Sequence, residues 1–481
     1  MISRSKIIFA CFITLFVIPA VAFAQDNQCL AVIQAAFSSA EQACSTTART
    51  QACVGSPAAQ AVPQAGFEPF VFNQPGDLIS ARELQTLSIS SPDAGSYGVS
   101  LLRIQADLPD AAPEQNATLL AFGEVEIQNS VNAADVLPTL IVSPTGNMNV
   151  RSGPSTDDPV VGTLEAFQAV TANGRLGDNS WVRVRIADGT FGWLSTPLLN
   201  VTGDVNTLDI VDSSGTPVAV RYGAVQSFTF SSGDAPCAGA PESGILVQTP
   251  AEVTFSINGV EIMLNGTAFV QAQPGGEMIL STLEGLARAG AAGMAHVILP
   301  GTQVRIPLDS SRSVSGAPAE PEPYDMEVMQ ALPVANLERE VTIAPSLTPE
   351  AIAASGIPTA GEWVTTYSVL MFACADGRTE VEERFRSNPL MLEVQQDGAA
   401  LVLVGTQQRD DPPFSTVMLT RTGAGYYTAD ATLENAFGRQ TQYQFTVYVL
   451  SPTHIEGVVV GLGGDCTTTG PFIADLVTSA S

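Results

Sequence analysis

Histidine side chains that could support acid–base catalysis or hold a metal ion are scarce in this chain of 481 residues. Its two histidines, His296 and His454, lie in different regions, and neither has an Asp or Cys partner in a recognised catalytic arrangement. The motifs of serine hydrolases, zinc proteases and phosphate-binding loops do not occur in the sequence. We therefore predict a protein that is not an enzyme and that uses no cofactor and no metal.

A second group of side chains is suited to binding rather than to catalysis. Residues 181–186 alternate along a predicted strand, with aliphatic side chains on one side and an aromatic and two cations on the other. The aliphatic side, which must be core, is Val182, Val184 and Ile186. A strand that follows a tight turn at Asp188-Gly189 adds a second tryptophan. Since an aromatic ring flanked by cations can stack on a peptide or a sugar ring, we predict a ligand-binding face. It consists of Trp181, Arg183, Arg185 and Trp193.

The stretch 139–203 positions this face. It carries Asn149-Val150-Arg151-Ser152-Gly153-Pro154-Ser155, then Trp181-Val182-Arg183-Val184, and then Gly192-Trp193. This pattern resembles the bacterial SH3-like (SH3b) domain, a small barrel of five to six strands. The resemblance implies a module that binds cell-wall peptide or glycan. Phe167 departs from the family, which often has Gly in that turn, and we expect this departure to alter one loop.

A weaker resemblance covers residues 244–308, within a predicted module at 204–308. It rests on Thr249-Pro250, Gly266-Thr267-Ala268-Phe269 and Leu283-Glu284-Gly285. These residues are similar to the periplasmic β-module of FecR, the ferric-citrate regulator. The resemblance implies a β-sandwich or β-roll for binding or display. FecR spans the inner membrane, and because this sequence has no comparable apolar span, we do not expect its signalling role here.

The remaining regions predict β-rich structure without a functional motif. Residues 25–138 begin with a short helical segment and continue as strands, typical of a small α+β module. Residues 309–360 are rich in Pro and Ala, which predicts either a linker or a strap across the preceding module. Short helices are expected there at 324–332 and 349–354. Residues 361–481 predict an antiparallel barrel or sandwich. The fold class is therefore mainly β and multi-domain.

Six of the seven cysteines are expected to form structural disulfides. Cys11 lies in the N-terminal apolar run, so the rest of the chain has an even number of cysteines, as disulfide pairing requires. Cys374 and Cys466 flank the C-terminal region and are the natural pair. Apolar spacing from Leu30 predicts a helix that would hold Cys29 and Cys44 about 22 Å apart. One of those two then joins Cys53, and the other joins Cys237.

Residues 1–24 have the form of a signal peptide. Arg4 and Lys6 precede the apolar stretch 7–18, and Ala22-Phe23-Ala24 provides a cleavage site before Gln25. No later stretch has about 18 uninterrupted apolar residues, so no membrane span is expected after cleavage. These features predict a secreted protein, extracellular or in the cell envelope.

The charge balance narrows the choice of partners. The chain has 20 Lys and Arg against 48 Asp and Glu, a net charge of −28, which argues against nucleic acid and anionic lipid. We predict a secreted, non-enzymatic protein that recognises cell-wall peptide or glycan through its SH3-like module. One alternative is a small-molecule carrier that uses the C-terminal barrel. Another is a wall hydrolase of unrecognised type, targeted by the same module.

Overall fold

The structure is a computed structural model with a mainly β fold and few helices. It describes residues 20–477, except 57, 91–96, 107–115, 133–138, 187–189, 212–221, 375–378, 406–415, 435–439 and 464–465. Residues 1–19 of the predicted signal peptide, including Cys11, and the predicted turn Asp188-Gly189 lie outside the described residues. No helix in the described part is long and apolar enough to cross a membrane.

The N-terminal region begins with helix α1 (Ala20–Ala43), which includes the helix predicted from Leu30 and starts earlier, within the predicted signal peptide. Seven strands follow it. They are β1 (Gln51–Val54), β2 (Ala59–Pro63), β3 (Leu78–Ser80), β4 (Leu84–Ile89), β5 (Val99–Ile104), β6 (Ala117–Phe122) and β7 (Val125–Asn129).

The SH3-like region forms a separate antiparallel sheet of seven strands. They are β8 (Leu140–Pro144), β9 (Met148–Arg151), β10 (Val160–Leu164), β11 (Val170–Arg175), β12 (Trp181–Arg185), β13 (Phe191–Ser195) and β14 (Leu199–Thr202). Their order is β10-β9-β13-β12-β11-β8-β14. A 3-10 helix, Thr196–Leu198, joins the last two strands. The core of this module includes Val142, Val150, Val182 and Val184.

The region that follows adds eight strands. They are β15 (Ser227–Ser232), β16 (Gly244–Gln248), β17 (Val253–Ile257), β18 (Val260–Ala272), β19 (Glu277–Ala291), β20 (Met294–Ile298), β21 (Thr302–Pro307) and β22 (Glu322–Pro323). They share one sheet of 15 strands with β1–β7, because β15 pairs with β7 and β16 pairs with β6. We call this the large sheet. The SH3-like module is thus inserted between two adjacent strands of one sheet.

Both faces of the large sheet are covered. Strand β6 is buried along its whole length: Leu119 and Ala121 face one hydrophobic core, and Leu120 and Phe122 face another. The first core also takes residues from β4, β7, β15 and β17, so the sheet curls around it. The second core is closed by α1 and by residues 324–343. Continuous apolar strands of this kind need cover on both sides.

Residues 309–360 form a strap rather than a linker. Ala344 N donates to Leu283 O of β19, and the Gln248 side chain of β16 exchanges two hydrogen bonds with the Arg339 backbone. The strap contains helices α2 (Met326–Gln330) and α3 (Pro349–Ser355). Thr348 caps α3 by accepting a hydrogen bond from Ala351 N.

The C-terminal region is a closed antiparallel barrel, which decides between the two predicted architectures. Its strands are β23 (Gly361–Cys374), β24 (Thr379–Gln395), β25 (Ala400–Gly405), β26 (Val417–Gly423), β27 (Tyr426–Glu434), β28 (Gln440–Ser451), β29 (His454–Gly463) and β30 (Cys466–Leu476). One end of its interior is fully packed by Trp363, Leu392, Tyr427 and Val447. Toward the other end, the inward-facing side chains are only half-buried. They are Ala429, Ala431, Leu433, Tyr443 and Val459.

Three disulfides join the six cysteines other than Cys11. Cys374–Cys466 links β23 to β30, as predicted. Cys44–Cys53 and Cys29–Cys237 resolve the alternative that the sequence left open. Cys44 directly follows α1 and bonds to Cys53 of β1, nine residues later. Cys29 lies within α1 and bonds to Cys237, 208 residues away in the sequence.

The barrel docks on the large sheet through two buried polar side chains. Arg288 of β19 pairs with Glu252 and also with Glu456 of the barrel, where the N–O distance is 3.0 Å. Its guanidinium lies 4.8 Å from the ring centroid of Tyr448. A buried cation with two carboxylates and an aromatic ring stabilises this contact.

His296 of β20 is the second docking side chain. Its Nδ1 accepts a hydrogen bond from Ala424 N at 2.8 Å, and its Nε2 donates to Pro318 O at 3.2 Å. This arrangement requires the neutral ring with its proton on Nε2. Burial lowers the pKa of His296, and this effect outweighs the opposite influence of Glu320.

Candidate binding surface of the SH3-like module

Strands β12 and β13 hold the predicted face. In their register Arg183 lies opposite Trp193, and Arg185 lies opposite Phe191. Val182 and Val184, on the other side of β12, are fully buried in the module core. The alternation predicted for this strand is therefore present in the structure.

Two of the four predicted ligand-binding residues are buried. Trp193 and Arg183 are each 2% exposed. The Arg183 guanidinium carbon lies 4.0 Å from the centroid of the Phe191 ring, and the corresponding Arg185 distance is 5.6 Å. The cations thus stack on a phenylalanine within the module. This geometry stabilises the SH3-like module and leaves little of the Arg183 or Trp193 side chain for a ligand to contact.

The same face is turned toward the N-terminal region. Arg49, which precedes β1, has its pKa lowered first by burial and then by repulsion from Arg185. Arg49 Nε also donates to Asn116 Oδ1 at 3.0 Å. The inner face of β12 and β13 is therefore close to the large sheet. Of the predicted set, Trp181 and Arg185 remain partly exposed.

The outer side of the module presents apolar side chains that the sequence did not single out for binding. Phe167 is 69% exposed and Leu198 is 54% exposed. Phe167 N donates to Pro144 O, and Thr145 N donates to Leu198 O, so both residues flank the end of β8. Trp181 pairs with Ser195, which directly precedes the 3-10 helix that carries Leu198. We call Phe167 and Leu198 the outer surface.

Phe167 holds an unusual backbone conformation for its residue type. Its φ is +64°, in the left-handed region that favours glycine. The Gly that the resemblance implies at this turn would adopt this φ without strain. A bulky residue in this region costs about 1–2 kcal/mol, and such strain tends to occur at functional sites. The only sequence feature that marks this surface is the departure at Phe167 from the family pattern.

Outside this module, one titratable pair is notable. His454 Nδ1 lies 2.6 Å from Asp475 Oδ1, because the two residues are cross-strand partners on the outside of the barrel. The sequence did not reveal this Asp partner. In the described part of the chain no serine or cysteine hydrogen-bonds the His454 ring, and no group of three metal-ligating side chains occurs. The pair is an exposed hydrogen-bonded contact of the kind that contributes little stability.

Comparisons with known proteins identify one module. Residues 146–200 match the family model described as the bacterial SH3 domain, a kind of domain that indicates a cell-wall binding module. No curated protein matches the chain. The three disulfides, together with this domain, indicate an extracellular or envelope location.

Solved structures give weaker similarities. A protein of unknown function from Nostoc punctiforme is 10% identical, with 71% of this chain and 96% of that chain covered and a TM-score of 0.19. A mutant of transferrin-binding protein B from Haemophilus parasuis is 9% identical, with 90% and 79% covered and a TM-score of 0.23. The same protein from Neisseria meningitidis is 9% identical, with 83% and 65% covered and a TM-score of 0.21. Scores this low do not establish a shared fold.

Proposed function

We propose that this protein is secreted and binds cell-wall peptide or glycan, without catalysis, through the outer surface of its SH3-like module. The strained, exposed Phe167 is the observation that carries the proposal. Phe167 and Leu198 together offer an apolar platform, and an exposed aromatic ring is suited to stack on a sugar or on a peptide side chain. Trp181 is partly exposed on the face predicted from the sequence and offers a second aromatic ring, whereas Arg183 and Trp193 of that face are buried.

Sedimentation with purified cell walls tests this function. The full mature chain is mixed with insoluble walls at moderate salt, and the bound fraction is measured after centrifugation. We expect Phe167→Gly to lower the apparent affinity about tenfold, because it removes the ring while leaving a backbone that glycine adopts readily. Trp181→Ala is expected to weaken binding by a smaller factor. Wall turnover, measured as soluble sugar released by the wild type, is expected to be absent.

The matched control is Phe67→Ala, which removes an exposed phenylalanine from the N-terminal region. We expect it to sediment as the wild type does. Equal sedimentation of the wild type and Phe167→Gly would place the binding site elsewhere. Failure of the wild type to sediment would reject wall binding.

A second candidate function is that of a small-molecule carrier, and the barrel interior favours it. The inward-facing residues of β27 and β28 change from fully buried at Tyr427 to half-buried at Ala431 and Tyr443. A ligand could enter a barrel whose inner wall is accessible in this way. The dye 1-anilinonaphthalene-8-sulfonate should then bind one site, and Ala431→Trp should abolish that binding. The outward-facing Thr432→Trp is the control and should leave it unchanged.

A further inference from the structure

A pocket of about 770 Å³ lies where the strap meets the C-terminal barrel, far in the chain from the SH3-like module. Helix α3 forms one wall, the turn between β24 and β25 another, and the end of β26 the floor. This volume is in the range of small-molecule sites, which often occur where two structural units meet.

Arg421 of β26 is the main cation of this pocket. Its backbone N–H donates to Ala399 O, and its Nε donates to Gly423 O at 3.1 Å. Among the described residues, the guanidinium makes no other hydrogen bond and no ion pair. Both terminal nitrogens thus keep their donors available in a partly exposed side chain. Within the described part of the chain, Arg421 shares this lack of an ion pair with Arg151, Arg175 and Arg339, whose guanidinium groups instead donate to backbone carbonyls, but of these four only Arg421 lines the pocket.

Two carboxylates line the same pocket without pairing with Arg421. Glu320 belongs to the strap, and its Oε2 lies 3.9 Å from His296 Nδ1. Asp397 lies in the turn between β24 and β25, where it and Gln396 both have positive φ, +55° and +51°. The strained turn holds the side chains of Gln396 and Asp397 at the pocket. Neither of these two side chains makes a hydrogen bond within the described structure.

The rest of the wall mixes apolar residues with Gln395, Gln396, Thr420 and Thr422. Ile352 of α3 is buried beneath it, and Met418 of β26 is 61% exposed at its edge. Methionine adapts to ligands of irregular shape. A ligand that fits this pocket therefore combines an apolar body with a negative group for Arg421 and a positive group for Asp397.

We propose that this pocket binds a zwitterionic apolar amino acid or short peptide, with its carboxylate on Arg421 and its amine on Asp397. Overall charge supports a neutral zwitterion over a simple anion, because a protein of net charge −28 repels small anions. The site lies outside the SH3-like module and is independent of wall binding.

Titration calorimetry of the full mature chain with leucyl-leucine tests the proposal. The wild type should give a saturable isotherm with one site. Arg421→Gln should weaken leucyl-leucine about tenfold, the usual loss for one charge-assisted hydrogen bond. Asp397→Asn should weaken it by a similar factor. Asn tolerates positive φ well, so this variant should fold even if Arg421→Gln does not.

Two blocked dipeptides assign the charges. Acetyl-leucyl-leucine lacks the amine, so it should bind the wild type more weakly than leucyl-leucine does. Its affinity should be the same for the wild type and for Asp397→Asn. Leucyl-leucinamide lacks the carboxylate and should be indifferent to Arg421→Gln. Asp430→Asn, an exposed neutralisation on the same barrel, is the matched control and should bind leucyl-leucine as the wild type does. No saturable heat, unchanged affinity in Asp397→Asn, or equal weakening by Asp430→Asn would each overturn the proposal.

Discussion

The SH3-like module and the C-terminal barrel each place an arginine on a strand, but the two side chains differ in their exposure to solvent. Arg183 on β12 is buried and stacked on Phe191, whereas Arg421 on β26 lines an open pocket. The inner face of β12 lies close to the large sheet, while the strap stops short of covering β26. Alternation along a strand assigns a side chain to a face, but the packing of modules decides whether that face meets solvent.

The strongest test of this contrast compares two tryptophans of the SH3-like module. Trp193→Ala should destabilise the module by about 3–5 kcal/mol, because it empties a fully packed site. Trp181→Ala should cost about 1 kcal/mol or less, since part of its ring is already exposed. Hydrogen exchange of the β12 and β13 amides measures both local stabilities. Similar losses in the two variants would contradict the assignment of Trp193 to a fully buried position and of Trp181 to a partly exposed one.

A second test separates the two modules by their cross-links. Cys374–Cys466 closes a segment with a sequence separation of 92, and no cysteine occurs in residues 139–203. The double variant Cys374→Ser/Cys466→Ser should lower the free energy of unfolding of the barrel by about 2–5 kcal/mol. Exchange in β12 should not change. A parallel loss of protection in the SH3-like module would show that the two units unfold together.

Acidity should loosen the docking of the barrel. His296 is buried in its neutral form with a lowered pKa, whereas in the unfolded chain it takes up a proton near its ordinary value of 6.5. The unfolded state then binds more protons, so stability is complete above about pH 6.5 and falls below it, until the lowered pKa is reached. The melting temperature of the barrel, measured between pH 7.5 and 5.5, should fall toward acid.

His296→Asn is the control for this pH dependence. Its side-chain oxygen can still accept from Ala424 N, but it does not titrate. The variant should melt at a temperature that depends less on pH over this range. An equally steep profile would assign the effect to other groups.

The smallest expected effect is a change in the stability of the SH3-like module that is opposite in sign to the change in wall binding. Phe167→Gly should stabilise the SH3-like module by about 1 kcal/mol, because it relieves a positive φ in a bulky residue. The same variant is expected to lose wall binding. Urea unfolding followed by β11 exchange measures the gain, and a loss of stability would mean that the exposed ring packs within the module.

Local patterns predicted the parts of the structure that depend on local geometry. The spacing that made Val182 and Val184 core and the helix that kept Cys29 from Cys44 are both present. Each depends on residues close together in sequence, where period and turn chemistry act directly.

Other features depend on contacts that carry no local signal. The pairing of β7 with β15 joins segments about 100 residues apart, so 25–138 and 204–308 were predicted as separate modules although their strands share one sheet. The burial of Arg183 and Trp193 follows from how the module sits in the chain. The choice of strap over linker required knowing that β16 and β19 leave an apolar face for residues 324–343 to cover. The FecR resemblance stays a prediction.

The insertion of the SH3-like module has a mechanical consequence. Ser130 N donates to Ser227 O at 2.9 Å, so the chain leaves and re-enters the large sheet at one place. The module is connected to the large sheet twice, once after β7 and once before β15. A pulling force on the module is therefore shared by these two strands, and the module rotates less freely than one connected by a single chain segment. A protease that cuts either crossing once would leave the module attached, and a nicked chain should still sediment with its ligand as one particle.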